Sequence, residues 1–400
     1  MKKLALLSAA VAYSLAQTAQ AQVALDPQAF NMEPFRLIPT LEVQAKQDSN
    51  IYKSSSDEVD SFITILKPTF DLVAQDRENV YTARYAAIAG FYTEDVNNFV
   101  DNIFKVNAHV EPTGRFRFDV GASYNFLHDD LGSDFTEGLS ASQLDARGGP
   151  DKYKLATLNG GFEYGAKDAA GQVALNLDYG QKRYDEGDVA AKRDLDTVNS
   201  QLEFRLRILP KTKALLDLEY GKGDYDNAAT AATADYTSHA YFLGLTWENS
   251  ANTTGKVRVG TNNRDSASTG ERSSLAWDVG VVWKPLERTR FTLDGSRRIQ
   301  DGTLPTISID NRDIRLGWGH DWSERVETKL TAGLGTDDHD RQAGTGVRED
   351  DTKTVGFVVN YQMRRWLVLG AGASVTDRDS TMNQFDYDRK VFSLNAQMSL

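Results

Sequence analysis

Five histidines, His109, His128, His239, His320 and His339, are the side chains best suited to proton transfer or metal ligation near neutral pH. They are scattered along the chain, and none belongs to an H-E-x-x-H pair or a G-x-S-x-G turn. The chain has no Cys, which excludes a disulfide scaffold, a zinc-thiolate site and a thiol nucleophile. Asp337-Asp338-His339-Asp340 could hold a divalent cation weakly, but in a long polar connection it reads as a solvated acidic tip. Gly370-Ala371-Gly372-Ala373 and Gly317-Trp318-Gly319 lack the Lys-Ser/Thr that completes a phosphate loop, and Gly in strands allows close backbone approach. No catalytic residue, metal or cofactor is expected.

What remains is a set of charges at alternate positions: Arg115, Arg117, Asp119, Glu203, Arg205, Arg207, Asp217, Glu219, Arg258, Asp278, Arg290, Asp294, Arg315, Glu327 and Lys329. Each lies opposite an apolar neighbour in sequence. Such groups cannot face hydrocarbon, where an Arg at the midplane costs roughly 2–4 kcal/mol. They are expected to line a lumen and to govern its selectivity. The cations fall mostly toward one strand end, while carboxylates such as Asp129, Asp130, Asp134, Glu137, Asp185, Glu186, Asp188, Asp337, Asp338, Glu349, Asp350 and Asp351 crowd the other. One expectation is a cationic inner mouth that draws in an anionic solute or polymer. The other is that these charges pair across strands and satisfy one another.

The elements that must position these charges are strands. From about Arg36 to Leu400, segments of 10 to 14 residues alternate apolar and polar, as in Phe116, Phe118, Val120, Ala122, Tyr124 and Phe126 against Arg117, Asp119, Gly121, Ser123 and Asn125. No segment shows a helical period. Short connections, such as Glu111 to Gly114, Leu209 to Thr212 and Lys284 to Glu287, take turns with longer polar ones: His128 to Pro150, Asp185 to Arg193, Lys222 to Asp235, Thr261 to Arg272 and Thr336 to Asp351. The count is about 18 strands, even in number. A soluble sandwich has strands of roughly five or six residues, whereas a tilted membrane strand needs roughly 9 to 11. Closure into a barrel satisfies every backbone group in lipid, and short turns then face the periplasm.

Aromatic residues support the same orientation. Trp247, Trp283, Trp318, Trp322 and Trp366 fall at short turns, and Tyr52, Tyr92, Tyr124, Tyr153, Tyr179 and Tyr241 near the longer loops, as two interfacial belts would require. Pro39 and Pro68 fall inside strands, where local bulges are expected. The loop from His128 to Pro150 is the candidate constriction if the pore is closed.

Composition agrees. A formal charge of −12 opposes a nucleic-acid partner, and a mean hydropathy of −0.48 opposes a helical membrane protein. Lys2 and Lys3, the apolar stretch Leu4 to Ala16 and Ala19-Gln20-Ala21 form the three parts of a secretory signal. The expected organisation is a cleaved signal over 1–21, a short periplasmic segment over 22–35 and a barrel over 36–400.

The opening hairpins, Leu37-Ile38-Pro39-Thr40-Leu41, Asp48-Ser49-Asn50-Ile51-Tyr52, Leu66-Lys67-Pro68-Thr69-Phe70 and Tyr81-Thr82-Ala83-Arg84-Tyr85, resemble those of the putative β-barrel porin 2 family, and the hairpin rhythm continues through Pro285-Leu286-Glu287-Arg288 to Leu400. The resemblance implies an all-β, up-and-down transmembrane barrel in the outer membrane of a Gram-negative bacterium. It further implies a conduit for exopolysaccharide, working with a periplasmic polysaccharide-export protein and surrounded by outer-membrane lipid. A diffusion porin for small solutes and a structural or adhesion barrel are the alternatives.

Overall fold

A computed structural model describes residues 29–93, 95–185, 193–226, 235–250, 252–267, 270–302, 306–341 and 346–399. The signal segment and Leu400 lie outside these residues.

The described strands are β1 (Phe30–Met32), β2 (Phe35–Asp48), β3 (Ser61–Asp76), β4 (Asn79–Tyr92), β5 (Phe99–Thr113), β6 (Phe116–Asp129), β7 (Asp151–Tyr164), β8 (Gly171–Tyr184), β9 (Leu195–Leu209), β10 (Thr212–Tyr225), β11 (Tyr236–Ser250), β12 (Thr253–Ser266), β13 (Gly270–Leu286), β14 (Thr289–Asp301), β15 (Thr306–Asp321), β16 (Val326–Arg341), β17 (Arg348–Arg364), β18 (Leu367–Ser380) and β19 (Tyr387–Ser399). Strands β2 to β19 pair antiparallel with their neighbours, and β19 closes on β2 through Val391↔Asp48 to Ser399↔Thr40. The result is a closed barrel of 18 strands, with β1 as an additional short strand folded back on the lower end of β2.

Alternation explains the wall. On β6, Phe116, Phe118, Val120, Tyr124 and Phe126 are exposed on the lipid side, while Arg117, Gly121 and Asn125 are buried inward. Leu243, Val259, Leu275, Leu316, Leu334, Phe392 and Leu394 continue the apolar outer band. Fourteen residues at about 3.3 Å each, tilted near 45°, rise about 33 Å, more than the roughly 25 Å apolar band of an outer-membrane barrel. Strand ends therefore stand in water on the loop side, and their outer faces become polar.

That height corrects several loop boundaries. The segment Thr261 to Arg272 is strand through Ser266 and again from Gly270. Thr336 to Asp351 is strand to Arg341 and again from Arg348, and Lys222 to Asp235 is strand to Tyr225. Asp337-Asp338-His339-Asp340 accordingly lies on β16 rather than at a loop tip. The proline bulges are also absent: β2 and β3 pair in one register from Phe35↔Ala74 to Asp48↔Ser61. Pro68 breaks the β3–β4 ladder between Leu66↔Ala89 and Thr69↔Ala86 without shifting it. Missing N–H groups cost bonds here, not register.

The Trp belt is present, with Trp283, Trp322 and Trp366 exposed at the short-turn end. Of the tyrosines, Tyr124, Tyr179 and Tyr241 face outward near the loop end. Tyr52 instead is buried in the mouth, Tyr92 packs beside it, and Tyr153 meets the Tyr184 ring at 5.4 Å in a tilted arrangement.

Candidate functional site

Register parity puts Arg117, Asp119, Glu203, Arg205, Arg207, Asp217, Glu219, Arg258, Asp278, Arg290, Asp294, Arg315, Glu327 and Lys329 on the inner face of the wall. Arg115 does not join them, because it occupies the turn between β5 and β6. The structure then brings most of the inner set together as pairs. Arg117 bonds Glu163, which also meets Arg205 at 3.3 Å. Arg205 bonds Glu203, and Lys256 reaches Glu203 at 2.5 Å. Arg258 bonds Asp217, Glu219 at 2.7 Å and Asp278 at 2.7 Å. Arg298 closes the chain with 2.6 Å to Glu219 and 2.7 Å to Asp278. Both Arg258 and Arg298 stack on the inward Phe242 ring, at 4.6 and 4.7 Å. Arg290 and Lys329 share Glu327, and Asp119 meets His109 at 2.8 Å. Asp294 lies opposite Arg315 in the β14–β15 ladder.

One continuous ion-pair chain thus runs over the inner wall from β6 to β14. Its partners Glu163, Lys256 and Arg298 were not singled out from sequence, although each sits at an inward position of the same alternation. A cation bonded to two or three carboxylates leaves little net field, so these arginines do not make a bare cationic mouth.

The other wall differs in kind. Between Lys329 and Asp337, β16 points Thr331, Gly333 and Gly335 inward. On β17 the corresponding residues are Thr352, Thr354, Gly356, Val358, Asn360 and Gln362; on β18, Val368, Gly370, Gly372, Ser374 and Thr376; on β19, Val391, Ser393, Asn395 and Gln397. This wall is uncharged, shallow and rich in hydroxyl and amide groups. A Cβ placed at Gly333 or Gly335 would meet only the neighbouring strands, at 3.8 Å or more, so the wall is not crowded at these positions.

Two elements fold into the mouth. The loop between β6 and β7 carries a single helical turn, α1 (Ala141–Asp145), too short to show a period in sequence. Its Leu131 and Leu144 are buried with Ile51, Tyr52 and Ile63 against the inner wall of β2 to β4. The Tyr52 hydroxyl donates to Asp145 at 2.7 Å, and the Asn97 amide donates to that hydroxyl at 3.0 Å. Gly132, at φ +77°, lies against the Tyr52 carbonyl, where a Cβ would come within 2.0 Å of the oxygen. From this anchorage the loop crosses the lumen, and Glu137 accepts bonds from Arg348 at 2.9 Å and Arg378 at 2.6 Å on β17 and β18. Those two arginines are held by Asp350, which also bonds Ser380 at 2.6 Å and His339 at 3.1 Å. The His128–Pro150 loop is therefore inside the barrel, as a constriction requires. On β16, Asp337 and His339 point inward and Asp338 and Asp340 outward, so the acidic run cannot converge on one cation. Among the described residues no cluster of three His, Asp or Glu could hold a metal.

The second element is the tip of the β14–β15 hairpin. The β13–β14 ladder stops at Trp277↔Arg297, leaving Gly270–Ala276 of β13 without a partner on that side, while β14 continues to Asp301 paired with β15. Above that rung the outward-parity residues of the hairpin touch inward residues of β11 to β13. The Ile299 N–H donates to Asn262 at 2.9 Å, Asp301 accepts from Tyr236 at 2.8 Å and from Arg264, and Arg272 donates to Ser308 at 3.4 Å. The described residues 299–302 and 306–308 thus stand inside the ring.

A family model described as Putative beta-barrel porin 2 matches residues 25–400. The chain belongs to that family. Solved barrels of similar fold include Pseudomonas aeruginosa OpdK with vanillate, 11% identical, TM-score 0.51, covering 91% of this chain and 99% of that one. OccK3 (OpdO) of the same organism is 13% identical, TM-score 0.48, over 91% and 95%. A point mutant of the ferric enterobactin receptor PfeA of P. aeruginosa is 8% identical, TM-score 0.49, over 91% and 80%. No curated protein matches by sequence. This member of the porin family is an outer-membrane β-barrel of the channel type.

Proposed function

We propose that this barrel is a passive outer-membrane conduit for a polysaccharide leaving the cell. The observation that carries the reading is the uncharged wall of β16 to β19, which runs from the turn side to the mouth beside an ion-pair chain that neutralises itself. A chain of sugars must slide without stalling, so contacts must be many, weak and alike. Hydroxyl, amide and backbone groups over glycine offer such contacts to sugar hydroxyls, whereas unpaired arginines would trap any acidic group. Synthesis and a periplasmic polysaccharide-export protein supply the direction. The chain reaches the periplasm with cleavage after Ala21, and no catalysis is assigned to it.

The test compares a strain deleted for this chain with its complemented control, measuring polysaccharide in medium, surface and periplasm. Loss from surface and medium, restored by complementation, supports export. Unchanged polysaccharide overturns it in favour of a diffusion channel for small solutes, to be followed by conductance of the purified barrel.

A further inference from the structure

We infer that the described upper residues of β14 and β15, 298–302 and 306–310, act as a gate that swings between the lumen and the barrel wall, and that the observed position is its closed state. The inference uses the channel character of the barrel and is independent of what passes through.

Three observations lead to it. First, the missing part of the β13–β14 ladder is already in register. Continuing from Trp277↔Arg297 pairs Ala276 with Arg298, Ser274 with Gln300 and Ser273 with Asp301. Rotating the tip outward, together with the upper end of β16 to which β15 is paired up to Thr306↔Arg341, would therefore complete an ordinary antiparallel ladder with no shift of sequence. An unpaired strand edge is tolerated only outside hydrocarbon, which places this seam at the extracellular rim, where movement costs no lipid exposure of backbone.

Second, the closed position is held by polar bonds. Asp301 bonds Tyr236 and Arg264, Arg272 bonds Ser308 and meets Asp338 and Asp340 of the adjoining β16 at 3.6 and 3.8 Å, and Asn262 takes up the Ile299 N–H. Among the described residues of the tip, Ile299 and Ile307 are the two buried apolar side chains, beside the buried polar Thr306, Ser308 and Asp310. The ladder bonds that form when the tip joins the wall offset the polar bonds that break when it leaves the lumen, which suits two states of similar free energy.

Third, the other in-folded element is built to stay. The β6–β7 loop rests on the apolar cluster of Leu131, Leu144, Ile51, Tyr52 and Ile63, whose exposure to water would be costly. Of the two obstructions in the mouth, the hairpin is the one that moves.

The absence of native Cys allows each state to be locked by a disulfide. Asn262→Cys with Ile299→Cys locks the tip inward. Ser274→Cys with Gln300→Cys locks it in the wall, where directly opposed residues lie within disulfide reach. In planar bilayers the first pair should show only the smaller current level until reduced. The second should form a disulfide without denaturant, lose the smaller level and admit larger polyethylene glycols. Heat-modifiable gel mobility verifies that each barrel is closed. Asp301→Asn, which leaves the backbone untouched, should lengthen dwell in the larger level. Failure of the 274–300 disulfide to form while 262–299 forms would overturn the gate, as would identical currents in both locked forms and the wild type. These readouts use salt and polyethylene glycol, so they stand or fall separately from polysaccharide export.

Discussion

Glu137 shows how one carboxylate can hold a constriction. It is the loop's link to Arg348 and Arg378 on the far wall, and Glu137→Gln removes a charge from two charge-assisted bonds, each worth about 1.5–3 kcal/mol. The expected outcome is faster amide exchange over residues 133–139, with the barrel itself unchanged in heat-modifiable mobility. Burial tends to raise this carboxyl, but Arg378 and Arg348 override it and hold it below its ordinary 4.5. A depressed group contributes fully above its unfolded value and loses its contribution as pH falls through the lower folded one. Loop protection should therefore be constant from pH 8 to about 5 and decline only below about 4, which exchange across a pH series checks. Arg258 makes a complementary case in the ion-pair chain, since it bridges Asp217, Glu219 and Asp278, of which Glu219 and Asp278 are shared with Arg298 while Asp217 has Arg258 as its near cation. Arg258→Gln leaves the buried Asp217 without its near cation, while Glu219 and Asp278 keep Arg298, so thermal stability should fall by about 3 kcal/mol and reversal potential should move toward cation preference.

At the level of the strand, the two faces obey different rules. Val259 lies in the middle of β12 on the lipid side, and Val259→Arg should cost roughly 2–4 kcal/mol and lower the yield of folded barrel in the outer membrane. Thr331→Lys, on the inner face of β16, should fold as well as wild type, because its ammonium group meets water. The contrast is read from the ratio of folded to unfolded bands after mild solubilisation. This face rule was legible in the residues themselves: alternation gave the strand number, the closed barrel and the inner side of Arg117, Glu203 or Arg258. It failed where the physics changes. Above the bilayer the outward-parity face no longer meets lipid, and Asp338 and Asp340 on β16 meet Arg272 of β13 at 3.6 and 3.8 Å instead, so they look like loop although they continue the strand. Arg115 fails for the opposite reason, since alternation runs on into a turn where there is no face. Contacts such as Glu137 with Arg378, 241 residues apart, depend on curvature of the whole ring and leave no local signal.

For the whole molecule, closure brings together the most distant parts of the chain, with Arg389 donating to Asp48 at 3.0 Å across 341 positions. Beside that seam, β19 reaches only the level of Thr40, and the lower end of β2 is walled by β1 instead, through Phe30↔Leu37 and Met32↔Phe35. A single lane of the wall is thus shared by two strands of very different history. The β1–β2 hairpin joins residues a few positions apart and can form early, whereas the β19–β2 ladder must wait until the whole sheet has curled. With β1 on Phe35 to Leu37 and β19 on Thr40 to Asp48, a slip of β19 toward the turn side by more than the two residues between them would have to displace β1, which acts as a doorstop on that edge.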